Sequence, residues 1–185
     1  MKWTIPGTVI QGDTQQAGFI RQQLESMFLG GGIVLSQVCS ITGLEPYIVQ
    51  NWVKRGFLTP PQGKRYSLRQ LCRIININML KGVLPLERIC SLLAYVNGKL
   101  NDESDDLIDD SELYILFVRL AANHRQMVNA EGRQVFMKEL LDAYQEPIPG
   151  SRQRVEKVLN IMLTAWAASQ MRQATERMLA ELEEA

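Results

Sequence analysis

Histidine is almost missing from this 185-residue chain, which has one, His124, in the run Ala-Ala-Asn-His-Arg. No His, Cys or carboxylate follows it three or four positions on, so a helical ligand pair is excluded there. A single imidazole with no Ser/His/Asp set, no glycine-rich phosphate loop and no Cys/His cluster leaves an enzyme without its usual parts. The chain therefore reads as non-catalytic, with no cofactor and no metal. Cysteine is also scarce: Cys39, Cys72 and Cys90 are odd in number, lack C-x-x-C spacing and sit among apolar residues. They read as small buried hydrophobes rather than a disulfide framework or a metal site. Long apolar runs are lacking too. The longest, 161–168, contains Thr164 and is far shorter than the roughly 20 residues of a membrane span. Met1 to Gly7 carries one Lys and no apolar run behind it, so it does not read as a secretory signal, and a cytoplasmic protein with no membrane partner is expected.

What is present is a globular composition, 46% hydrophobic, enough for one good core or two small ones. The formal net charge of zero conceals two halves of opposite sign. Residues 33–100 hold nine Lys/Arg against Glu45 and Glu87, a net of +7, and residues 101–185 hold nine Lys/Arg against sixteen Asp/Glu, a net of −7. A basic half points to a polyanion as its partner.

Periodicity predicts a mainly helical, all-α chain. Ala17, Phe19, Ile20, Leu24, Met27 and Phe28 mark a helix over 14–29, stopped by Gly30-Gly31-Gly32. A short helix through Leu35, Val38 and Cys39 ends at Gly43, and Glu45-Pro46 opens another that ends at Gly56. Phe57-Leu58-Thr59 and Lys64-Arg65-Tyr66, around Pro60 to Gly63, read as two very short strands, a minimal wing. Ser67 and Gln70 form a capping box that starts a helix through Leu80, and Pro85 starts one that ends at Asn97-Gly98. Residues 101–112 read as an acidic, solvated connector. They have the length of a calcium loop, but Asp106 stands where such a loop needs glycine. Helices are predicted over 111–129, 132–145 and 151–183, the last about 50 Å long at 1.5 Å per residue. Three units follow: an N-terminal helical extension (1–32), a DNA-binding domain (33–100) and a helical dimerisation or effector domain (101–185).

The functional reading rests on Leu35 to Lys54. With Gly43 as the turn, apolar residues at Val38, Leu44, Val49 and Trp52, and small Cys39 at the close approach, have the spacing of a helix-turn-helix. At about 100° per residue, Ile48, Val49, Trp52 and Val53 share one face of the second helix. Tyr47, Gln50, Asn51 and Lys54 share the other, and all four can bond to bases or phosphates.

Glu45 to Leu58, Gly63-Lys-Arg-Tyr-Ser67, and the helices carrying Leu71/Ile74 and Leu86 to Leu93 resemble the N-terminal domain of MerR-family regulators. The run Val49-Gln-Asn-Trp-Val-Lys-Arg-Gly56, with Asn97-Gly98 before an acidic tract, looks more closely like a bacterial family of uncharacterised proteins with a MerR-like N-terminus. The resemblance implies a MerR-like winged helix-turn-helix over about 33–97, with a helical C-terminal module behind it. Two departures stand out. Gln50 and Asn51 replace the usual Arg-Tyr pair, and the wing is shorter and poorer in Arg.

The expected role is a sequence-specific, double-stranded-DNA-binding transcriptional regulator acting as a homodimer through its C-terminal helices. Tyr47, Gln50, Asn51 and Lys54 are expected in the major groove, with Arg55, Lys64, Arg65 and Arg69 on phosphates. The competing reading is a winged-helix protein-protein adaptor, antirepressor or DNA-architectural accessory factor. Tyr114, Phe117, Phe136, Tyr144 and Trp166 could line a small-molecule effector pocket, although aromatics at helical spacing usually form core.

Overall fold

The computed structural model describes residues 2–124 and 130–183. Among them, helices account for most of the chain: α1 (Ile20–Ser26), α2 (Leu35–Thr42), α3 (Pro46–Lys54), α4 (Leu68–Leu80), α5 (Leu86–Asn97), α6 (Asp110–Asn123), α7 (Ala130–Leu140) and α8 (Ser151–Glu183). Four short strands, β1 (Lys2–Thr4), β2 (Gln11–Asp13), β3 (Ile33–Val34) and β4 (Arg65–Tyr66), form two antiparallel pairs, β1 with β2 and β3 with β4. A 3-10 turn, Thr14–Phe19, runs into α1.

Helix α4 is the centre of the molecule: it is buried nearly all round, and even its Arg73 and Asn76 are covered by neighbouring elements. Leu71, Cys72, Ile74, Ile75, Ile77 and Leu80 have no exposed surface. Helices α2, α5, α6 and α8 pack around it. Its start is fixed as the sequence predicts: Gln70 N–H donates to Ser67 Oγ at 3.2 Å and Ser67 N–H to Gln70 Oε1 at 2.9 Å. The same Gln70 amide donates to Thr59 O and Thr59 Oγ1, each at 2.9 Å, and so pins the loop leading out of α3.

Three sequence expectations change. The segment 1–32 is not simply helical, since β1 and β2 pair with Lys2 opposite Asp13 and Thr4 opposite Gln11. Gly7 turns between them at φ 74°, and a Cβ there would stand 2.6 Å from the Ile75 carbonyl oxygen. Only glycine lets that turn lie on α4. Second, the strand expected at 57–59 does not form. Arg65–Tyr66 pairs instead with Ile33–Val34, and Gln62 bridges Arg65 around a two-residue tip, Gly63 and Lys64. Both tip residues have positive φ, 53° and 63°, as a tight hairpin turn of matching twist demands.

Third, the break between a basic and an acidic unit is bridged. One continuous cluster of buried side chains runs from Ile5 through Val49, Leu71, Leu93 and Phe117 to Trp166. Helix α6 starts at Asp110, and the far end of the helix expected over 111–129 lies outside the described residues. Tyr114 and Phe117 are wholly buried, Trp166 is buried, and Phe136 and Tyr144 pack against the same cluster. These five aromatics are chiefly core. Among the described residues, no helix is long and apolar enough to cross a membrane.

Helix α8 changes sides. Val155, Val158, Leu159, Met162, Leu163 and Trp166 bury one face against the core, ending at Ser169. Beyond it, Met171, Met178, Leu179 and Leu182 are 73%, 65%, 55% and 75% exposed, on the face turned away from the core.

Candidate nucleic-acid interface

Helices α2 and α3 meet across Gly43, which takes φ 69° and closes α2 by donating its N–H to Cys39 O. A Cβ at Gly43 would lie 2.6 Å from Val9 Cγ1, so glycine is needed for conformation and for space. Pro46 occupies the first turn of α3, where its missing N–H costs nothing. Val49 (0% exposed) and Trp52 (4%) seat α3 on the core, while Tyr47 is 68% exposed. Gln50, Asn51 and Lys54 lie on the same open side as Tyr47. The face composed of hydrogen-bonding side chains is thus the solvent face.

The cations expected on phosphates divide into two groups. Lys64 stands exposed at the hairpin tip in a left-handed conformation that a side chain seldom adopts, an unfavourable geometry that the Gln62–Arg65 closure imposes. Arg65 is exposed and donates to Gly32 O at 2.8 Å, which leaves most of its N–H groups unspent. Lys54 is exposed, and no carboxylate among the described residues is within ion-pair distance of Lys54 or Lys64. Arg55, by contrast, is held at 2.6 Å by Glu87 and lies 4.6 Å over the Phe57 ring.

Arg69 requires a correction. It is not a phosphate contact but the hub of a carboxylate cage, with Asp106 at 2.7 Å, Glu103 at 3.3 Å, Asp109 at 3.6 Å and Asp110 at 4.0 Å. Arg73 joins the same group, its NH1 3.3 Å from Asp110 while its Nε donates to Phe57 O at 3.0 Å. The acidic stretch is therefore a clasp and not a solvated linker. Leu107 and Ile108 are buried, Leu107 N–H donates to Val96 O at 2.7 Å, Tyr144 OH donates to Leu107 O at 2.6 Å, and the Asn97 amide donates to Ile108 O. The apolar pair Leu107-Ile108 inside the acidic run is the signal for this that a charge count overlooks.

Burial, outweighing Arg69, pushes the Asp106 carboxyl up to about 6. Asp110 is raised as well, burial again exceeding the pull of Arg73 and Arg69. A carboxyl whose proton is held more tightly in the folded than in the unfolded chain stabilises the fold at low pH, and that contribution is lost as pH rises through about 6. We expect the difference between urea midpoints at pH 5 and pH 7.5 to shift toward neutral-pH stability in Asp106→Asn relative to the parent protein. An unchanged difference would show that Asp106 is not the titrating group.

Burial also raises the thiols of Cys39, Cys72 and Cys90, and all three are free. Among the described residues, no group of three or more His, Cys, Asp or Glu side chains is placed to hold a metal ion.

Residues 33–117 match a domain of unknown function (DUF1836). The matched stretch begins at β3 and ends inside α6, so it takes in α3, the hairpin tip and both sides of the clasp. Over 86 residues the chain is 31% identical to the uncharacterized protein YkrK of Bacillus subtilis (strain 168), a similarity covering 44% of this chain and 37% of that protein. The chain therefore matches little more than a third of that relative's length. No solved structure matches it.

Proposed function

We propose that this protein is a transcriptional regulator that binds a specific sequence of double-stranded DNA as a homodimer, through a MerR-like winged helix-turn-helix built by α2, α3 and the Gln62–Arg65 hairpin. One observation carries the reading: Tyr47, Gln50, Asn51 and Lys54 form the open face of a helix seated by Val49 and Trp52, with Lys64 and Arg65 exposed at the neighbouring hairpin. Gln50 and Asn51 suit the adenine edge in the major groove, Lys54 and Tyr47 reach base or phosphate, and the hairpin cations hold the backbone.

A recognition helix alone spans too few base pairs for specificity, and two-fold pairing supplies the second half-site about 34 Å away. The outer side of α8 is suited to that pairing. Ile161, Thr164, Ala168, Met171, Thr175, Met178 and Leu182 recur at alternating three- and four-residue steps, all exposed. This is the seam pattern of a two-helix coiled coil. A second copy running in the opposite direction fits it, because the overhang runs from Arg172 and Arg177 to Glu181 and so sets cations against a carboxylate.

The test is selection of binding sites from random duplex DNA, with light scattering of the free protein. A dimeric mass and enrichment of a short palindrome are expected. The salt dependence should have a slope of about −5, from three phosphate contacts per protomer at about 0.9 each. Met171→Asp with Met178→Asp should give a folded monomer and lose the palindrome. A protein that retards no duplex at physiological salt would be an adaptor instead.

A further inference from the structure

A second cationic surface lies away from α3, and it is concave. Between the N-terminal hairpin, the end of α4 and the overhang of α8 is a half-open cavity of about 850 Å³. Clefts of some 300–1,000 Å³ are the size that encloses small ligands. Its walls carry four cations, Lys2, Lys81, Arg172 and Arg177, and none of its described lining residues is acidic.

Lys2 stands opposite Asp13 across the β1–β2 pair, whereas no carboxylate among the described residues stands within ion-pair distance of Lys81 or Arg177. Arg172 is tied to the wall, donating to Gly82 O at 2.8 Å, and its Nε lies 3.5 Å from Glu176. Burial depresses the Lys81 ammonium, whose Nζ lies 6.0 Å from the Trp52 ring centroid. Positive groups that outnumber their counter-charges around a cleft repel one another, and an anion relieves both that repulsion and their desolvation.

Three aromatic rings share the wall with small and polar side chains. Trp3 and Trp166 stand edge to face with centroids 6.4 Å apart, and His124 stands edge to face on Trp166 at 4.9 Å. Aromatic walls under a cationic rim suit a flat ring bearing negative charge. A DNA duplex fits less well, since the charges line a hollow between three elements instead of following one ridge.

We infer that this cavity binds a small anion with a planar ring, the charge held by Lys2, Lys81, Arg172 and Arg177 and the ring placed against Trp3. The site goes beyond the DNA-binding reading and uses none of the residues set against DNA, while Arg172 and Arg177 also belong to the α8 overhang assigned to pairing. Asn78 also lines the cavity and donates to both Gly7 O and Thr42 O at 2.9 Å, so the cavity wall touches the end of α2.

The test is calorimetric titration of the full chain, without DNA, using adenosine 5′-monophosphate and salicylate, with adenosine and benzamide as uncharged counterparts. Either anion is expected to bind saturably in the submillimolar range and its counterpart at least tenfold more weakly. Lys2→Gln with Lys81→Gln changes two exposed side chains outside the α8 seam; it should keep the parent's circular dichroism and melting profile and weaken the anion at least tenfold. The inference fails if neither anion saturates below about 10 mM, if the uncharged compounds bind as well, or if the double variant binds like the parent. Since no DNA is present, these outcomes are independent of whether α3 reads a sequence.

Discussion

Replacing Gln50 and Asn51 together by alanine is expected to reduce affinity for the selected DNA sequence on the order of a hundredfold while leaving non-specific binding nearly unchanged. The two side chains are exposed on α3 and support no packing, so melting temperature should not move. A good bidentate amide-to-adenine contact discriminates by about 1–3 kcal/mol, and loss of two such contacts reaches that magnitude. Changing Lys64 and Arg65 to alanine should do the opposite: it should weaken all sequences alike and flatten the salt slope by about one unit per lost contact. Competition binding against the selected duplex and a scrambled one separates the two results. Equal loss on both duplexes for the Gln50/Asn51 variant would remove α3 as the reading element.

The largest effect on stability is expected from Arg73→Ala. Arg73 is 6% exposed and Asp110 0%, so truncating the arginine leaves a carboxylate in the core with Arg69 only at 4.0 Å and one oxygen already unbonded. Removing one partner of a buried ion pair typically costs 3–5 kcal/mol, and the remaining Arg69 places the expected loss near the lower end, about 3 kcal/mol. For a chain of this size that corresponds to a fall in melting temperature of roughly 6–12 °C. Replacing both members by apolar groups, Arg73→Met with Asp110→Leu, should recover most of it, because neither charge is then stranded. A double variant no more stable than Arg73→Ala would mean that the packing of the arginine stem, and not its charge, holds α4 to α6.

Much of this was legible in the sequence because it depends on neighbours along the chain. The Ser67–Gln70 cap, the Gly43 turn, the apolar face of α3 and both ends of α8 are set by residues within one or two helical turns. The clasp was not legible. Arg69 and the acidic run are more than thirty residues apart, and a charge tally treats a carboxylate in water and one buried beside Arg73 as equals. The pairing of β4 with Ile33–Val34 was hidden for the same reason, since two-residue strands carry no periodicity and gain their partner only when α2 and α4 are packed. The cationic cavity draws its four charges from an N-terminal strand, the end of α4 and the last third of α8, and no local pattern connects them.

The change of face in α8 at Ser169 makes one rigid rod serve as an anchored beam and a lever. The fourteen residues from there to Glu183 extend about 21 Å at 1.5 Å per residue, so a tilt of about 10° at the seat displaces the far end by about 4 Å. Anything that repacks the Trp3–Trp166 contact is thereby magnified at the place where a second copy would rest.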